Sequence, residues 1–524
     1  MALKKWSHEQ IIGAFCSPFC LSLFFLASVL IVFNFAIRKP KSKSKTNLNQ
    51  LPFPPKLPII GNLHQLGTLP HRSLRDLSLK YGNMMLLQLG QKPNPTLVVT
   101  SADVAMEIMK NHDKVFSNRP QHIAPKILLY GCTEVGFGLY GKIWKQKRKL
   151  CVGELLNMKS VQLSYPIREE EVEELVNKLR EASSNDECVN LTEMLISTIN
   201  NIVCICALGR KYEEASEGSL KVLARKVMIY LQAFVVGDYF PSLSWIDVLG
   251  GKIREIKDTF QALDGFFDQV IEERLALKKM ENNQFKKKGF VDILLQLQED
   301  GMLDFEFSNN DIKGLLMDMF VGGTDTTSAT LEWTISELMR HPTVMKKVQE
   351  EVRRVVGNKS KVEENDINEM HYLKCVVKES LRLHPATPLM APRETISSVN
   401  LNGYDIPEKT MVFVNSWAIQ RDPKNWQNPE EFMPERFENS IINFIGQDFQ
   451  FIPFGFGRRG CPGMHFGVAT VEYILANLLY WFNWKLPTEI NLGKQDIDID
   501  MNEVFGLVTT KKEPLHLKPI AFLV

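Results

Sequence analysis

The chain has 524 residues and a mass of 60.0 kDa, which is enough to bury a large core around a deep site. Hydrophobic residues make up 44% of it and charged residues 23%, as in an ordinary globular protein. The net charge of +1 provides no field that would attract nucleic acid, so we expect no nucleic-acid partner. The nine cysteines show no framework spacing, which indicates a reducing compartment rather than a disulfide scaffold.

The first predicted element is an apolar run over residues 11–37, interrupted mainly by Asn34. A run of this length can span a bilayer with some tilt. Two lysines precede it and five basic residues follow it, and the more positive flank should stay in the cytosol. We therefore predict a membrane anchor over residues 1–37, with a lumenal N-terminus. A cleaved signal peptide is the alternative, but the run is long for one and no small-residue cleavage site is evident.

A basic and proline-rich stretch over residues 38–61 is interpreted as a stiff hinge, because proline fixes the backbone angle φ. No later break is long or polar enough for a domain boundary, so residues 62–524 are predicted to form one catalytic domain. Helical periodicity dominates from Ser160 to His384, and runs near 86–99, 399–406 and 411–414 predict short strands. The predicted fold class is mainly α with small β-sheets (α+β).

One long helix is predicted from Ser308 to Arg340, with Ser308 and Asp311 as a capping pair and His341-Pro342 as its end. The segment Gly322–Thr327 (GGTDTT) in its middle is poor helix material. It indicates either that something approaches the backbone closely or that the helix opens locally. The alternative is a plain polar patch whose hydroxyls bond back to the preceding turn.

A single thiol, Cys461, lies in a glycine-rich loop, Pro453–Gly463 (PFGFGRRGCPG), ahead of an apolar run from Met464 to Leu479. Glycines let the backbone come close, and N–H groups at a helix start stabilise a thiolate. The two arginines of the loop can meet carboxylates on a planar cofactor. The pattern favours a metal-bound thiolate, while a structural cysteine on a tight turn is the alternative.

Two further patterns are weak evidence of function when each is considered alone. Glu379 and Arg382 share one helix face, as many surface ion pairs do, and Arg436 follows in a Pro-Glu-Arg-Phe stretch. Trp144 and Arg148 lie one turn apart on a basic run, which is more commonly a solvated face.

Taken in chain order, the proline-rich stretch, the GGTDTT segment, the Glu-x-x-Arg pair, the Pro-Glu-Arg-Phe stretch and the Cys461 loop resemble the cytochrome P450 monooxygenases. The resemblance is strongest to the plant microsomal A-type group. It implies the cytochrome P450 fold with an N-terminal transmembrane helix, and haem b held through the Cys461 thiolate. It also implies O2 as co-substrate, with electrons from NADPH through NADPH-cytochrome P450 reductase or from cytochrome b5. The expected location is the endoplasmic reticulum membrane, and the expected substrate is a small lipophilic plant metabolite.

The same resemblance assigns roles to residues. Thr326 would hold a water near the reacting oxygen, and Asp325 would relay protons to it. The residues expected to contact the haem are Cys461, Trp144, Arg148, Arg393, Arg459, Phe454 and Gly463. The residues expected to form a buried structural cluster are Glu379, Arg382 and Arg436. The residues expected to line the substrate pocket are Phe320, Gly323, Thr324, Thr327, Leu389, Met390, Leu507 and Val508.

Two other classes of function stay open. Isomerases and dehydratases that need no NADPH use the same haem-thiolate scaffold, although they have no use for the Asp325–Thr326 pair. A non-enzymatic haem sensor or scaffold is the third possibility. If the chain is a monooxygenase, the surplus lysines around Trp144 (Lys142, Lys145, Lys147 and Lys149) are expected to dock an acidic electron donor.

Overall fold

The computed structural model describes residues 51–212, 220–279, 288–301, 303–487 and 499–522, together with residues 22, 26 and 28. The chain divides into a unit Met1–Gln50 and a compact unit Leu51–Val524. The predicted anchor over 1–37 and the hinge residues 38–50 lie outside the described residues, apart from those three helical positions. The rest of the predicted hinge belongs to the compact unit, where Leu51 is buried and the Pro52 carbonyl accepts a hydrogen bond from Leu86 N at 3.0 Å.

Helices dominate the compact unit, which confirms the predicted fold class. The α-helices of the described residues are Pro70–Tyr81, Ala102–His112, Ile123–Leu128, Lys142–Leu150, Met158–Leu163, Tyr165–Ser184, Leu191–Leu208, Leu220–Gln232, Val236–Tyr239, Trp245–Leu249, Lys252–Lys279, Phe290–Asp300, Asn309–Gly323, Asp325–Arg340, Pro342–Val356, Glu364–Asn368, His371–Leu383, Ser416–Ile419 and Met464–Trp481. A single π-helical turn, Cys151–Leu155, extends the basic helix that begins at Lys142.

The strands are short and form four small sheets in the described part of the chain. They are β1 (Met84–Leu87), β2 (Thr96–Val99), β3 (Val189–Asn190), β4 (Arg393–Glu394), β5 (Val399–Leu401), β6 (Tyr404–Ile406), β7 (Met411–Val414), β8 (Phe482–Lys485), β9 (Glu503–Val504), β10 (Thr510–Lys511) and β11 (His516–Ala521). The largest sheet has the order β1-β2-β7-β4, with β2 and β7 parallel. The runs predicted from the sequence as strands correspond to β1, β2, β5, β6 and β7.

The predicted helix from Ser308 to Arg340 is two helices, Asn309–Gly323 and Asp325–Arg340, which we call the central helix pair. Ser308 and Asp311 form the predicted capping box, in which Ser308 N donates to Asp311 Oδ2 at 2.8 Å. The single-helix prediction was wrong at Thr324, where the two helices meet and ψ reaches −66°. Beyond this break the Thr326 hydroxyl donates to the Gly322 carbonyl at 2.6 Å. Local opening and a hydroxyl bonded back to the preceding turn therefore occur together.

Helix Leu191–Leu208 packs against both members of the central helix pair. It is the one helix among the described residues that is long and apolar enough to cross a membrane, and two-thirds of it is buried inside the body. At the crossing, a Cβ on Gly323 would lie 3.1 Å from Val203 Cγ2, so glycine permits the close approach of the two helices. This packing places Gly322 and Thr326 at the wall of an internal cavity.

Candidate active site

The Cys461 loop is folded by bonds to its own backbone and by two glycines in the left-handed region. Cys461 N donates to the Phe454 carbonyl at 2.8 Å, and Gly455 and Gly457 have φ of 72° and 64°. A side chain on Gly457 would also collide with the Asp113 carboxylate. Helix Met464–Trp481 begins three residues after Cys461, as the apolar run predicted.

Cys461 lies in the wall of a cavity of about 320 Å³, and its accessible surface faces that cavity. Burial raises the pKa of the Cys461 thiol, while the Gly463 N–H and the positive charge of Arg148 act in the opposite direction. A coordinated metal ion deprotonates a thiol outright, so a metal would complete what these two groups begin. The predicted residues Phe454 and Gly463 line the same cavity.

Four arginines gather at this cavity wall, namely the predicted Arg148, Arg393 and Arg459 and the unpredicted Arg119. Desolvation and mutual repulsion lower the pKa of Arg459 to about 9, and desolvation lowers that of Arg393 to about 10. The pKa of Arg119 falls for the same two reasons. Buried positive charge that is incompletely balanced fits a cofactor carrying carboxylates. Sequence reasoning missed Arg119 because a lone arginine between Asn118 and Pro120 matches no motif.

The arginines are held by backbone carbonyls. Arg148 Nη2 donates to the Gly460 carbonyl at 2.6 Å, and Arg393 Nη2 donates to the Phe456 carbonyl at 2.7 Å. Arg459 Nε donates to the Ser117 carbonyl at 2.7 Å. These bonds fix both the position and the orientation of each guanidinium beside the cysteine loop.

The basic run around Trp144 is the helix Lys142–Leu150, and it is amphipathic. Trp144 is buried, and its Nε1 donates to the Val135 carbonyl at 2.9 Å, so it supports the cavity wall from behind. Lys145 and Lys149 are exposed, as the docking prediction requires. The prediction was wrong for Lys147, which is buried and donates to Asp311 Oδ1 at 2.5 Å.

The two residues predicted to deliver protons, Thr326 and Asp325, differ in whether they border the cavity. Thr326 and Thr327 line the cavity, whereas Asp325 does not. Burial raises the pKa of the Asp325 carboxyl, and the nearby charge of Arg225 opposes this rise. Asp325 is half-buried and lies outside the cavity, next in sequence to the threonines that line it.

Five of the eight residues predicted for the substrate pocket line the cavity: Gly323, Thr327, Met390, Leu507 and Val508. The other three do not. Phe320 points away from the cavity and packs on Phe267, with ring centroids 6.3 Å apart. Thr324 is buried at the helix break, and Leu389 packs under the four-stranded sheet in a cluster with Met85. Helix geometry explains Phe320, because it lies about half a turn from the face that carries Gly322 and Thr326.

Glu379, Arg382 and Arg436 meet in a buried cluster, as predicted. Arg382 Nε and Nη2 donate to the two carboxylate oxygens of Glu379 at 2.7 and 2.8 Å, and Arg436 Nε donates to Oε1 at 2.9 Å. The Met433 amide adds a fourth bond at 2.8 Å. Arg382 Nη1 also donates to the Gln420 carbonyl at 2.9 Å, so the cluster joins helix His371–Leu383 to the chain leading to the cysteine loop.

Two acids were not predicted: Asp318, which is half-buried and lines the cavity, and Glu134, which is fully buried. Asp318 stands alone among apolar residues in Leu315–Phe320, and a charge in such a run could have drawn attention to it. Glu134 has no comparable signature.

The fold and this site together define a haem-thiolate class of protein, in which Cys461, on its glycine-rich loop, borders a largely apolar cavity that the broken central helix pair also lines. Residues 51–517 match the family model described as Cytochrome P450, and the chain belongs to this family. It is a monooxygenase of the plant A-type group, and the family uses haem iron with a thiolate ligand and O2.

Several known proteins are similar to this chain over nearly its whole length. Phenylacetaldehyde oxime monooxygenase of Prunus mume is 50% identical and is matched over 96% of this chain and 94% of its own. Cytochrome P450 71A1 of Persea americana is 49% identical, over 95% and 98% of the two chains. Strychnine-11-hydroxylase of Strychnos nux-vomica is 44% identical, over 95% and 96%. A zebra fish cytochrome P450 solved with progesterone shares the fold, with a TM-score of 0.72 at 24% identity, covering 86% of this chain and 99% of that one.

Proposed function

We propose that this chain is a membrane-anchored monooxygenase that inserts one atom of O2 into a small lipophilic plant specialised metabolite, using electrons from NADPH through a reductase. One observation carries the proposal: the Cys461 thiol, the Thr326 hydroxyl and a set of buried arginines all border one largely apolar cavity. A thiolate ligand, a proton donor and partners for carboxylates are what such a reaction requires of the protein.

Cys461 would hold haem b through its thiolate, and the haem would supply the O2 chemistry that electron donation from a thiolate favours. Arg148, Arg393 and Arg459 are proposed to pair with its two carboxylates, with Arg119 as a fourth basic partner. Trp144 fixes the wall behind them through its bond to the Val135 carbonyl. Phe454 and Gly463, which border the cavity beside Cys461, leave room for a flat group against the cysteine loop.

Thr326 and Asp325 are the proposed route for protons. The Thr326 hydroxyl donates to the Gly322 carbonyl, so its oxygen is free to accept a hydrogen bond from a water in the opened turn. Asp325 is next to this turn and outside the cavity, and burial raises the pKa of its carboxyl, which brings it closer to the range of a proton relay. These two residues favour oxygen activation over the isomerase or dehydratase alternative.

The substrate is proposed to be a lipophile of modest size, because the wall that faces the thiol is mainly apolar. Met390, Leu507, Val508 and Phe137 contribute to it, together with the unsubstituted backbone of Gly322. Similar proteins named for an aromatic oxime and for strychnine support a specialised metabolite of this kind. Terpenoids, phenylpropanoids, flavonoids and aldoximes are the classes to test.

The electron donor is proposed to be NADPH-cytochrome P450 reductase, with cytochrome b5 as a second donor. The exposed lysines Lys142, Lys145 and Lys149 lie on the helix that begins beside Tyr140 and carries Arg148. A basic surface this close to the proposed carboxylate-binding arginines suits an acidic protein that delivers electrons.

The location is proposed to be the endoplasmic reticulum membrane, crossed once by residues 1–37, with the catalytic domain in the cytosol. Two groups of exposed apolar residues support lipid contact: Leu57, Ile59 and Ile60, and Trp245, Val248 and Leu249. Backbone bonds connect their surroundings, because Gly90 N donates to the Ile60 carbonyl at 3.2 Å and Gln91 N donates to the Tyr239 carbonyl at 2.8 Å. Ile60 and Tyr239, which precedes Trp245 by six residues, are therefore bound to adjacent residues of the chain.

The test is expression in microsomes with a plant reductase, with Cys461→Ala as the control. A panel of terpenes, phenylpropanoids, flavonoids, fatty acids and aldoximes is offered with and without NADPH, and products are identified by mass. We expect a product that requires NADPH and disappears in the control. A product formed without NADPH would support the isomerase or dehydratase function. A chain that fails to give the carbon monoxide spectrum of a haem thiolate would refute the assignment of Cys461.

A further inference from the structure

Two carboxyl groups that the proposed chemistry does not use meet at the cavity wall, where Asp318 is one of the lining residues. Glu134 lies in the loop ahead of the basic helix and is fully buried, and Asp318 lies on helix Asn309–Gly323. A Cβ placed on Gly136 would be 3.0 Å from Asp318 Oδ1 and 3.6 Å from Glu134 Oε1. Both carboxyls therefore adjoin the same glycine.

The two carboxyls accept amide hydrogens from within residues Glu134–Gly138, which we call the bridge segment. Val135 N donates to Asp318 Oδ2 at 2.8 Å, and Gly136 N donates to Asp318 Oδ1 at 3.3 Å. Phe137 N donates to Glu134 Oε1 at 2.5 Å. Three consecutive amides of the bridge segment are thus bound by buried carboxyl oxygens.

The carbonyls of the bridge segment bind the cavity wall. The Val135 carbonyl accepts hydrogen bonds from Trp144 Nε1 at 2.9 Å and from Arg459 Nη1 at 3.0 Å. The Gly136 carbonyl accepts one from Arg119 Nε at 3.0 Å. The bridge segment therefore connects the central helix pair to Trp144 and to the arginines Arg119 and Arg459.

The chain that leads into the bridge segment is strained. Tyr130, Gly131 and Cys132 are three consecutive residues in the left-handed region, with φ of 51°, 73° and 59°. Two of them carry side chains, for which this region is unfavourable. Such a backbone persists only where outside contacts hold it, so the bonds to Glu134 and Asp318 are needed to keep the bridge segment in place.

The two carboxyls are not equivalent in their bonding. Both oxygens of Asp318 accept an N–H, so a proton on either one would face a donor. Glu134 uses only Oε1, and its Oε2 is buried without a hydrogen-bond partner among the described residues. Two adjacent buried carboxylates repel each other, and one proton relieves that repulsion. The geometry assigns this proton to Glu134.

The surrounding charges agree with one ionised carboxyl. The charged and titratable groups that face the pair are Lys147, Arg119, Arg459, Cys132 and Cys151. The charge of Lys147 is already shared with Asp311 at 2.5 Å. Burial and the repulsion of Asp318 raise the pKa of Glu134, and burial raises that of Asp318, so the pair favours holding a proton, which the bonding described above places on Glu134.

We propose that Glu134 and Asp318 are a positioning pair in which neutral Glu134 and ionised Asp318 hold the bridge segment where its carbonyls orient Trp144, Arg119 and Arg459. Only the orientation of these groups toward haem rests on the proposed function. The retention of the bridge segment rests on the bonds described above.

The experiment compares the full chain with two isosteric variants, Glu134→Gln and Asp318→Asn. The amide introduced by Glu134→Gln reproduces the neutral acid, because its carbonyl oxygen can accept from Phe137 N and its NH2 takes the place of Oε2. The amide introduced by Asp318→Asn must direct its NH2 at the N–H of Val135 or Gly136. The measurements are haem-thiolate content, from the ferrous carbon monoxide spectrum, and the Tm followed by tryptophan fluorescence from about pH 6.5 to pH 9.

A carboxyl with a raised pKa keeps a proton in the folded chain that the unfolded chain has released. The folded state therefore loses stability as pH rises from the ordinary carboxyl range through the raised pKa of Glu134 in the folded chain. We expect the Tm of the wild type to fall as pH rises from about 7 to about 9 and the Tm of Glu134→Gln to stay flatter over the same interval. We expect Glu134→Gln to match the haem content of the wild type, and Asp318→Asn to retain at most about one tenth of it.

Two results would overturn the proposal: equal loss of haem in both variants, or the same pH dependence of Tm in the wild type and Glu134→Gln. If Asp318→Asn does not fold, the pH dependence of Tm in Glu134→Gln decides alone. A wild type with no thiolate spectrum would refute the proposed function, and the fluorescence Tm would still test the pair.

Discussion

Removal of the Glu379 carboxylate is the sharpest test of the buried cluster. Glu379→Ala deletes the acceptor of four hydrogen bonds and leaves the guanidiniums of Arg382 and Arg436 without their counter-charge. Breaking a buried pair by removing one partner costs about 3–5 kcal/mol. The net stability of a folded domain is about 5–15 kcal/mol, so this loss is a large part of the total. It corresponds to a rise in the unfolded fraction of roughly two to four orders of magnitude.

The assay measures haem per polypeptide and the carbon monoxide spectrum in microsomes, beside total protein from an immunoblot. Glu174→Ala is the matched control, because Glu174 also binds two basic residues, Lys178 at 2.9 Å and Lys211 at 2.6 Å, but at the surface. Exposed pairs contribute about 0–1 kcal/mol, so this variant should keep its haem. We expect Glu379→Ala to lose haem incorporation, with turnover per remaining haem unchanged. Normal haem content with slow turnover would refute the structural role of the cluster.

Three further predictions concern the cavity and the docking face. Thr326→Val should keep the haem spectrum but lower the product formed per NADPH at least about tenfold, because the hydroxyl that is proposed to hold a water is lost; unchanged coupling would argue against the proton route. Gly322→Ala should fold normally, since its Cβ meets nothing within 4 Å, and it should slow the turnover of bulky substrates more than that of slender ones. Gly323→Ala should lower Tm, because its Cβ meets Val203 at 3.1 Å. Equal effects of the two variants on Tm would contradict this contrast. Lys145→Glu should raise the KM for reductase without changing the haem spectrum, and the same KM would refute docking at this helix.

Much of this architecture was predictable because the informative features are local. A cap such as Ser308 with Asp311, a Pro after His341 and glycines around Cys461 act within a few residues of themselves. The Glu379 cluster was predictable only through the family resemblance, because no local pattern indicates that Arg436 returns to the same helix.

The wrong predictions concern side chains whose direction depends on tertiary packing rather than on local sequence. Lys147 sits in a run of exposed lysines, yet a single turn of helix directs it inward to Asp311. Phe320 and Leu389 are apolar and are next in sequence to residues that line the cavity, but their side chains pack in other parts of the core. Glu134 and Asp318 are far apart in sequence, and their meeting depends on how the loop before the basic helix folds over the central helix pair.

Gly322 and Gly323, which are adjacent at the helix break, differ in how freely each position can be substituted during evolution. Gly323 is fixed by its neighbour Val203, so a change there must be matched by a second change on helix Leu191–Leu208. Gly322 meets no such neighbour, and one nucleotide substitution that adds a methyl group there would alter the space above the thiol while the scaffold stayed intact. Selection for a new metabolite could therefore act on position 322 alone, without first finding a compensating mutation.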